Sequence, residues 1–570
     1  MRKGEGMIVK NAGIGGLEAA RKSGWRTLSA PLIAVAFLGV AGCDNGGDGK
    51  KSSNVDTPEV LRPCGQAAPC PSVTLESPGP WAEGDPAGEI SLPASWQTGA
   101  GYLLDEFFVS GHANVFNYNQ AEAEIGEHPG DNLVVRLVDM PYKTRILVAY
   151  PEHKERFSGV VIIELMHATS GSDKMSVWAT AAEFFRREGF VYIGITVSGD
   201  QAVAYLKSGC GGELPACGER YAGLSLDDNG LEFEIVSQLA SALRSGIPDQ
   251  SPLPIDFNPV DMIFVTGYSQ DAAPAVITLS NQFHQAAIDG YFPQGYALGR
   301  PIGGKYSNLR GVTGDPQFCD QPGSSPYPDC IGSLAADEAL IRNNLPVPVY
   351  LGMTEHDVVY HAGFANRQPD IDVNPHASFR LIEVPGSGHV PSTLGELEIA
   401  PGYRRADLCV HQPGFNNTPV SAVDVYNAYW RAMILQVREG RIPPKAPRIE
   451  TDQLGGIVRD ELGNALGGLR MPEFQFPRAS YFQPYNVAKP ACSDEITTEC
   501  LPTEIARSGG YCFVMSSLAP FTAEELAGIY PDRERYIAEY TQYTLQLVAQ
   551  GFLLEEDAKR RLQALLSESP

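Results

Sequence analysis

Six apolar runs recur between residues 158 and 389, and each is nearly continuous rather than alternating. Their sequences are SGVVIIELMHA, FVYIGITVSG, DMIFVTG, AAIDGYFPQG, VPVYLGMTEHD and SFRLIEVPGSGH. Strands that are buried on both faces need such runs. Between them lie amphipathic stretches, among them residues 177–189 and 231–246, which have the helical pattern. Strands that alternate with helices predict an α/β fold with a mostly parallel sheet flanked by helices.

The pattern changes on both sides of this region. From about 103 to 150, the short runs EFFVSG, NLVVRLV and TRILVAY are separated by turn residues and predict a small antiparallel section. Residues 296–345 are rich in glycine and proline. They predict an insertion over the edge where the parallel strands end, which is where such folds bind ligands. Residues 441–570 are irregular and then helical, so we expect an extension packed on the main domain.

The N-terminus has the order of an export signal, with basic residues up to Arg26, the apolar run LIAVAFLGV and then AGCDN. The tetrapeptide VAGC at 40–43 resembles a bacterial lipobox, in which the cysteine becomes the lipidated first residue. We therefore expect Cys43 to carry a lipid anchor in the cell envelope, on the periplasmic or outer surface. The apolar run is too short to span a bilayer, and DNGGDGKKSSN after it is typical of a flexible tether. A plain secretory peptide with an incidental cysteine is the alternative.

Charge and composition narrow the possible partners. The 570 residues are 43% hydrophobic and 19% charged, as in ordinary globular proteins. Acidic residues outnumber basic ones by 68 to 43, and the basic residues form no run or stripe. A nucleic-acid partner is therefore not expected, and contact with a membrane is expected only through Cys43.

Ten of the 11 cysteines remain after Cys43 is set aside, and an even number in an exported chain predicts disulfides. Four pairs are close in sequence and leave one distant pair. The predicted disulfides are Cys64–Cys70, Cys210–Cys217, Cys319–Cys330, Cys492–Cys500 and Cys409–Cys512. None of the close pairs has zinc-finger spacing, so we expect no metal site.

The stretch MIFVTGYSQDAAPAV contains the candidate nucleophile. An apolar strand, a sharp turn with a serine and a helix of small residues form the arrangement called a nucleophile elbow. Ser269 is that serine, and the backbone N–H of Gln270 is one candidate donor to an oxyanion. Asp271 replaces the second glycine of the G-x-S-x-G pattern, so its carboxylate has to point outwards or cap the helix. A serine two residues after a glycine is also common by chance.

A serine hydroxyl needs a base, and the base is expected after a later strand. His389 in VPGSGHVPS is our candidate. The preceding strand ends in GMTEHDVVYH, which offers Asp357 or Glu355 as the carboxylate that orients the imidazole. We favour Asp357 because it lies further into the loop. A second oxyanion donor is expected after the VVIIEL strand, from the backbone N–H of His167 or Ala168.

These motifs, in this order, resemble a family of bacterial exported α/β-hydrolase-domain proteins proposed to be serine esterases. The resemblance covers roughly residues 105–555 and includes EFFVSGHANVFNY, FVYIGITVSG, VTGYSQDAAPAV, TEHDVV, VPGSGHV, GGLRMPEF and GFLLEEDA. Ser269, Asp357 or Glu355, and His389 fall where members carry their triad, although members usually have a small residue at position 271. The resemblance implies the α/β-hydrolase fold and hydrolysis of carboxylic esters, with no cofactor.

The expected function is therefore a serine carboxylic-ester hydrolase that forms an acyl-enzyme and acts on a small or oligomeric ester. The alternatives are an acyltransferase with the same triad and a catalytically dead binding lipoprotein. The expected organisation is a signal peptide (1–42), a tether and irregular segment (43–100), the catalytic domain (101–440) and the C-terminal extension (441–570).

Overall fold

The structure, a computed structural model, divides into two units, Met1–Glu59 and Val60–Pro570, and all described residues belong to the second. The described residues are 61–79, 101–118, 128–168, 173–210, 215–246, 259–295, 341–342, 344–360, 367–389, 416–417, 420–452, 456–482 and 517–567. Most of the predicted insertion, residues 296–340, lies outside them. The predicted boundaries at 100 and 440 stay predictions.

A ten-stranded sheet organises this part of the chain, in the order β1-β2-β3-β5-β4-β6-β7-β8-β10-β9. Its strands are β1 (Thr74–Glu76), β2 (Tyr102–Tyr118), β3 (Leu133–Pro151), β4 (Val160–Met166), β5 (Val191–Thr196), β6 (Met262–Tyr268), β7 (Gly290–Gln294), β8 (Val349–Thr354), β9 (Ile371–Asn374) and β10 (Ala377–Val384). The neighbours β5, β4, β6, β7, β8 and β10 run parallel. Each of the six apolar runs contains one of these strands, which confirms the predicted α/β fold.

Helices cover both faces of the sheet. They are α1 (Ser176–Glu188), α2 (Ala204–Lys207), α3 (Pro215–Tyr221), α4 (Glu232–Ser245), α5 (Ser269–Gln282), α6 (Glu355–Tyr360), α7 (Val423–Glu439), α8 (Pro472–Gln475), α9 (Ala523–Ile529), α10 (Arg533–Gln550) and α11 (Glu555–Ser567). Side chains of β4 alternate between the two faces, so that Ile163 packs with α4 and α5 while Ile162 packs with α1 and α7. None of the helices among the described residues is long and apolar enough to cross a bilayer.

The antiparallel section differs from the prediction. Two long strands, β2 and β3, replace the three short ones and pair over most of their length before β3 joins β5. The polar residues that suggested a turn, around Asp139, are exposed or half-buried within β3. An exposed stretch of strand tolerates the polar residues that a turn also favours, so the pattern alone did not separate the two.

Part of the predicted tether region is packed on the sheet. β1 pairs with β2, and Cys64 N–H donates to Oε1 of Glu234 on α4 at 3.0 Å. The disulfides Cys64–Cys70 and Cys210–Cys217 are both present, which confirms two predicted pairs. The other three pairs and Cys43 lie outside the described residues.

The C-terminal region adds a small antiparallel sheet, β11 (Asn416–Asn417), β12 (Ala479–Phe482) and β13 (Ser517–Pro520), in the order β11-β13-β12. Between β11 and β12 in the chain, isolated bridges join Ile449 to Gly467 and Arg459 to Ala465 in an irregular hairpin. This hairpin packs against β10, because Leu469 N–H donates to the carbonyl of Glu383 at 2.8 Å. The end of β10 is therefore covered by chain from the C-terminal region.

Candidate active site

Ser269 stands at a sharp turn between β6 and α5. β6 ends at Tyr268 and α5 begins at Ser269, so strand becomes helix within one residue. The Ser269 backbone has φ +67°, a left-handed conformation that residues other than glycine rarely adopt. This conformation is typical of a serine at a nucleophile elbow.

His389 follows β10 in the loop of residues 385–389, which we call the histidine loop. The hydroxyl of Ser387 donates to the carbonyl of Val384 at 2.6 Å and turns the chain at its start. Gly386 has φ +73°, and a Cβ there would lie 2.4 Å from a ring carbon of Phe474. Only glycine fits this position, because it tolerates positive φ and leaves room for the phenyl ring.

Ser269, His389 and Asp357 form a hydrogen-bonded chain. Nε2 of His389 lies 2.7 Å from Oγ of Ser269, and Nδ1 lies 2.5 Å from Oδ1 of Asp357. Since the carboxylate accepts from Nδ1–H, Nε2 is left to accept the serine proton. The exposed fractions of the three residues are 8%, 3% and 0%, respectively. Each follows the C-terminal end of a parallel strand, where ligands bind in such sheets.

Backbone contacts fix the carboxylate of Asp357. Its Oδ2 accepts from the N–H of Thr354 at 2.7 Å, and its own N–H donates to Oγ1 of Thr354 at 3.2 Å. The side chain is therefore oriented from the end of β8 and the first turn of α6.

Glu355, the alternative acid, has different partners. Its Oε2 accepts from the N–H of Gly386 at 2.7 Å, and its Oε1 accepts from Nη2 of Arg459 at 2.6 Å. The structure thus brings Asp357, rather than Glu355, against the ring of His389.

The candidate oxyanion donors follow the ends of the neighbouring strands β4 and β6. Gln270 lies in the first turn of α5, where backbone N–H groups have no acceptor within the helix. Leu165 on β4 pairs with Gly267 on β6, so the two strands end at the same edge of the sheet, and His167 and Ser269 follow directly after them. Ala168 is buried, and residues 169–172 after it lie outside the described residues, as does the side chain of Asp271.

The ring of His167 lies in a buried, polar corner. Its Nε2 is 2.9 Å from Oγ of Ser176, and its ring centroid is 6.5 Å from that of Tyr268. Burial, together with the charges of Lys174 and His389, lowers the pKa of His167 to about 3. His167 is therefore a neutral imidazole near Ser269 at physiological pH.

Two contributors to the site were not predicted from the sequence. The hydroxyl of Tyr268 donates to the carbonyl of His389, and the two rings are 5.4 Å apart. Glu164 on β4 accepts from the N–H groups of Val177 and Trp178 at 2.9 and 3.1 Å and so caps α1 beside the site. The signal for Glu164 was a charged residue inside the apolar run VVIIELM.

A metal ion is the other ligand that these side chains suggest. His356, Asp357 and His389 offer donor atoms that lie within 4.8 Å of one another, and all three residues are buried. An ion on His389 would have to displace its hydrogen bond to Asp357 or to Ser269. The donor set therefore fits a proton-transfer chain better than a metal centre.

Comparisons with known proteins identify a family and several similar solved structures. A family model described as an alpha/beta hydrolase domain matches residues 77–563. Among solved structures, acetyl xylan esterase 1 from Thermoanaerobacterium sp. JW/SL YS485 is 12% identical, with a TM-score of 0.27, 58% of this chain covered and 87% of that one. Est1E from Butyrivibrio proteoclasticus is 12% identical, with a TM-score of 0.23 and coverages of 48% and 88%. A search of curated proteins finds no match.

Proposed function

Because the chain belongs to the alpha/beta hydrolase domain family, we propose that it hydrolyses carboxylic esters with Ser269 as the nucleophile. One observation carries the proposal. Oγ of Ser269, the imidazole of His389 and the carboxylate of Asp357 are in consecutive hydrogen-bond contact in a buried site. This arrangement supplies a nucleophile, a base and a group that stabilises the protonated base.

The reaction proceeds in two halves. Oγ of Ser269 attacks the ester carbonyl while Nε2 of His389 takes the hydroxyl proton. The tetrahedral intermediate collapses to an acyl-enzyme as His389 gives this proton to the leaving alcohol. Water then attacks the acyl-enzyme while His389 takes its proton, and His389 returns this proton to Oγ of Ser269 as the carboxylic acid leaves. Asp357 stabilises the imidazolium that forms in each half.

Backbone N–H groups bind the oxyanion in this proposal. The N–H of Gln270 is one donor, and the N–H of His167 or Ala168 is the other. The N-terminus of α5 points its dipole at the same place and favours the negative charge. His167 is neutral, so it adds no positive charge, and stabilisation of the oxyanion rests on the N–H donors and the helix dipole.

An acyltransferase would use the same residues, with an alcohol or amine in place of water. A dead binding protein is disfavoured because the three side chains have the contacts that the chemistry needs.

The test is turnover of p-nitrophenyl acetate and butyrate by the purified full chain, together with labelling by a fluorophosphonate. Ser269→Ala should lower kcat by about 10⁴- to 10⁶-fold and abolish labelling. Ser280→Ala is the matched control, because Ser280 is a buried serine of the same helix whose hydroxyl donates to Ile277. Full activity in Ser269→Ala would refute the proposal. Addition of an alcohol and analysis of the products separates hydrolysis from acyl transfer.

A further inference from the structure

Residues 446–452 and 456–476, which we call the clamp segment, lie against the histidine loop and the strand before it. Ile449 N–H donates to Oε2 of Glu383 on β10 at 2.8 Å, and Leu469 N–H donates to the carbonyl of the same residue. Phe474 lies over Gly386, and a Cβ on Gly468 would lie 2.8 Å from the ring of Pro385. The clamp segment thus approaches the histidine loop from two sides.

Glu355 connects the clamp segment to the histidine loop through both carboxylate oxygens. Oε2 accepts from Gly386 N–H, three residues before His389, and Oε1 accepts from Arg459. Glu355 lies in the same first turn of α6 as Asp357. One helical turn therefore contacts the ring of His389 through Asp357 and the backbone of its loop through Glu355.

We propose that Glu355 and Arg459 are positioning residues, whose ion pair holds the histidine loop so that His389 contacts Asp357 and Ser269 together. This inference rests on the proposed function of that site. Neither residue touches the reacting atoms, and both act through the loop.

The ion pair matters because Glu355 is fully buried. A buried carboxylate without a cationic partner is strongly disfavoured. Arg459 supplies that partner, and Nη1 of Arg459 is itself fixed by the carbonyl of Gly463 at 3.1 Å. The charged carboxylate in turn accepts a strong hydrogen bond from Gly386 N–H.

Loss of the pair should act on the chemical step more than on substrate binding. A displacement of about 1 Å between reacting groups costs up to roughly 100-fold in rate. We therefore expect Arg459→Met and Glu355→Gln to lower kcat by about 10- to 100-fold, with KM changed by less than about three-fold. Arg459→Lys keeps the charge and should recover most of the loss.

Arg448 provides a matched control within the clamp segment. Its Nη2 pairs with Oδ1 of Asp370 at 2.8 Å, and its side chain is 26% exposed, against 28% for Arg459. Its ion-pair partner lies before β9, and its Nη1 donates to the carbonyl of Leu381 within β10, so neither contact is made to residues 385–389 of the histidine loop. Arg448→Met should lower the melting temperature by about as much as Arg459→Met while kcat stays within about three-fold of wild type.

The experiment measures kcat, KM and melting temperature for the four variants and for wild type, with Ser269→Ala alongside. Equal kcat in Arg459→Met and Arg448→Met would overturn the inference. If Arg459→Met does not fold, a wild-type kcat in Glu355→Gln would overturn it equally. Ser269→Ala separates the two possible failures. If the inference is overturned while Ser269→Ala is inactive, only the inference has failed. If Ser269→Ala is active, the proposed function has failed.

Discussion

Oγ of Ser269 lies 2.7 Å from Nε2 of His389, although 120 positions separate the two residues in the chain. The sheet brings them together, because β6 and β10 run in the same direction and end at the same edge. The parallel sheet is therefore the part of the fold that creates the site.

Replacing Asp357 should slow the reaction without preventing folding. Asp357→Asn removes the negative charge that stabilises the imidazolium of His389, so kcat should fall by about 10²- to 10⁴-fold. Steady-state hydrolysis of p-nitrophenyl butyrate measures this loss. Asp372→Asn is the control, because Asp372 pairs with Arg380 on the far edge of the sheet. A kcat for Asp357→Asn within three-fold of the control would exclude the assigned role.

The positive φ of Ser269 should be visible in stability. A residue other than glycine in this conformation costs about 1 to 2 kcal/mol, whereas glycine loses about 0.5 to 1 kcal/mol in backbone entropy. Ser269→Gly should therefore be at least as stable as Ser269→Ala, and both should be inactive. In contrast, Ala273→Gly in the same helix should cost about 1 kcal/mol or more. Urea unfolding gives the free energy of unfolding of each variant. If Ser269→Gly is less stable than Ser269→Ala by as much as Ala273→Gly is less stable than wild type, the backbone at position 269 is not strained.

Glu164 should make stability depend on pH. Burial raises the pKa of this residue from 4.5 to about 7. Between pH 4.5 and about 7 the folded chain keeps a proton on Glu164 that the unfolded chain has lost. The free energy of unfolding therefore falls as pH rises through this range and levels off above about 7. Glu164→Gln lacks this dependence. Its stability relative to wild type should rise by as much as about 3 kcal/mol between pH 4.5 and 8.

Urea unfolding at a series of pH values tests this, with the exposed Glu155→Gln as control. Parallel stability curves for wild type and Glu164→Gln would show that the pKa of Glu164 is the same in the folded and the unfolded chain.

The disulfide Cys210–Cys217 should contribute measurably to stability. It closes a short loop with a sequence separation of 7 and joins two buried residues. Replacing both cysteines by alanine should lower the free energy of unfolding by about 2 to 3 kcal/mol in the chain-entropy treatment. Alkylation of the denatured, unreduced protein should leave all ten cysteines after Cys43 unmodified. Alkylated Cys210 in this experiment would contradict the pairing.

We propose a lipid anchor on Cys43, and it is tested separately from catalysis. Cells fed labelled palmitate should incorporate the label into wild-type protein, and Cys43→Ser should lose both the label and sedimentation with membranes. Esterase activity of the variant should be unchanged, because Cys43 has no role in the proposed chemistry of Ser269, His389 and Asp357. An unlabelled wild-type protein would favour the plain secretory peptide.

The sequence predicted the parallel strands well, because both faces of these strands are buried and their apolar runs have no other common explanation. The prediction that Ser269 and His389 are neighbours agrees with the structure. Few histidines directly follow a later parallel strand, so the order of the strands limits the possible bases. The sequence did not separate Asp357 from Glu355 decisively. Both follow β8 within one helical turn, and only the direction of each carboxylate distinguishes them.

Other features of the structure cannot be recognised from the local sequence. Arg459 lies 104 positions from Glu355, in a hairpin without a regular hydrophobic period, so nothing in the sequence pointed to their ion pair. The sequence pattern predicts shorter strands than β2 and β3, because the exposed residues of these strands resemble those of turns. In both cases the deciding factor was tertiary packing rather than local preference.

The position of the clamp segment in the chain affects how the protein is made. Ribosomes release a polypeptide from its N-terminus, so Ser269, Asp357 and His389 emerge before Arg459 does. A nascent chain that ends near residue 440 already contains the nucleophile, the base and the acid, but not the guanidinium that neutralises Glu355. We therefore expect the full rate of the proposed ester hydrolysis only after the C-terminal region has been synthesised, and a reduced kcat in chains that end near residue 440.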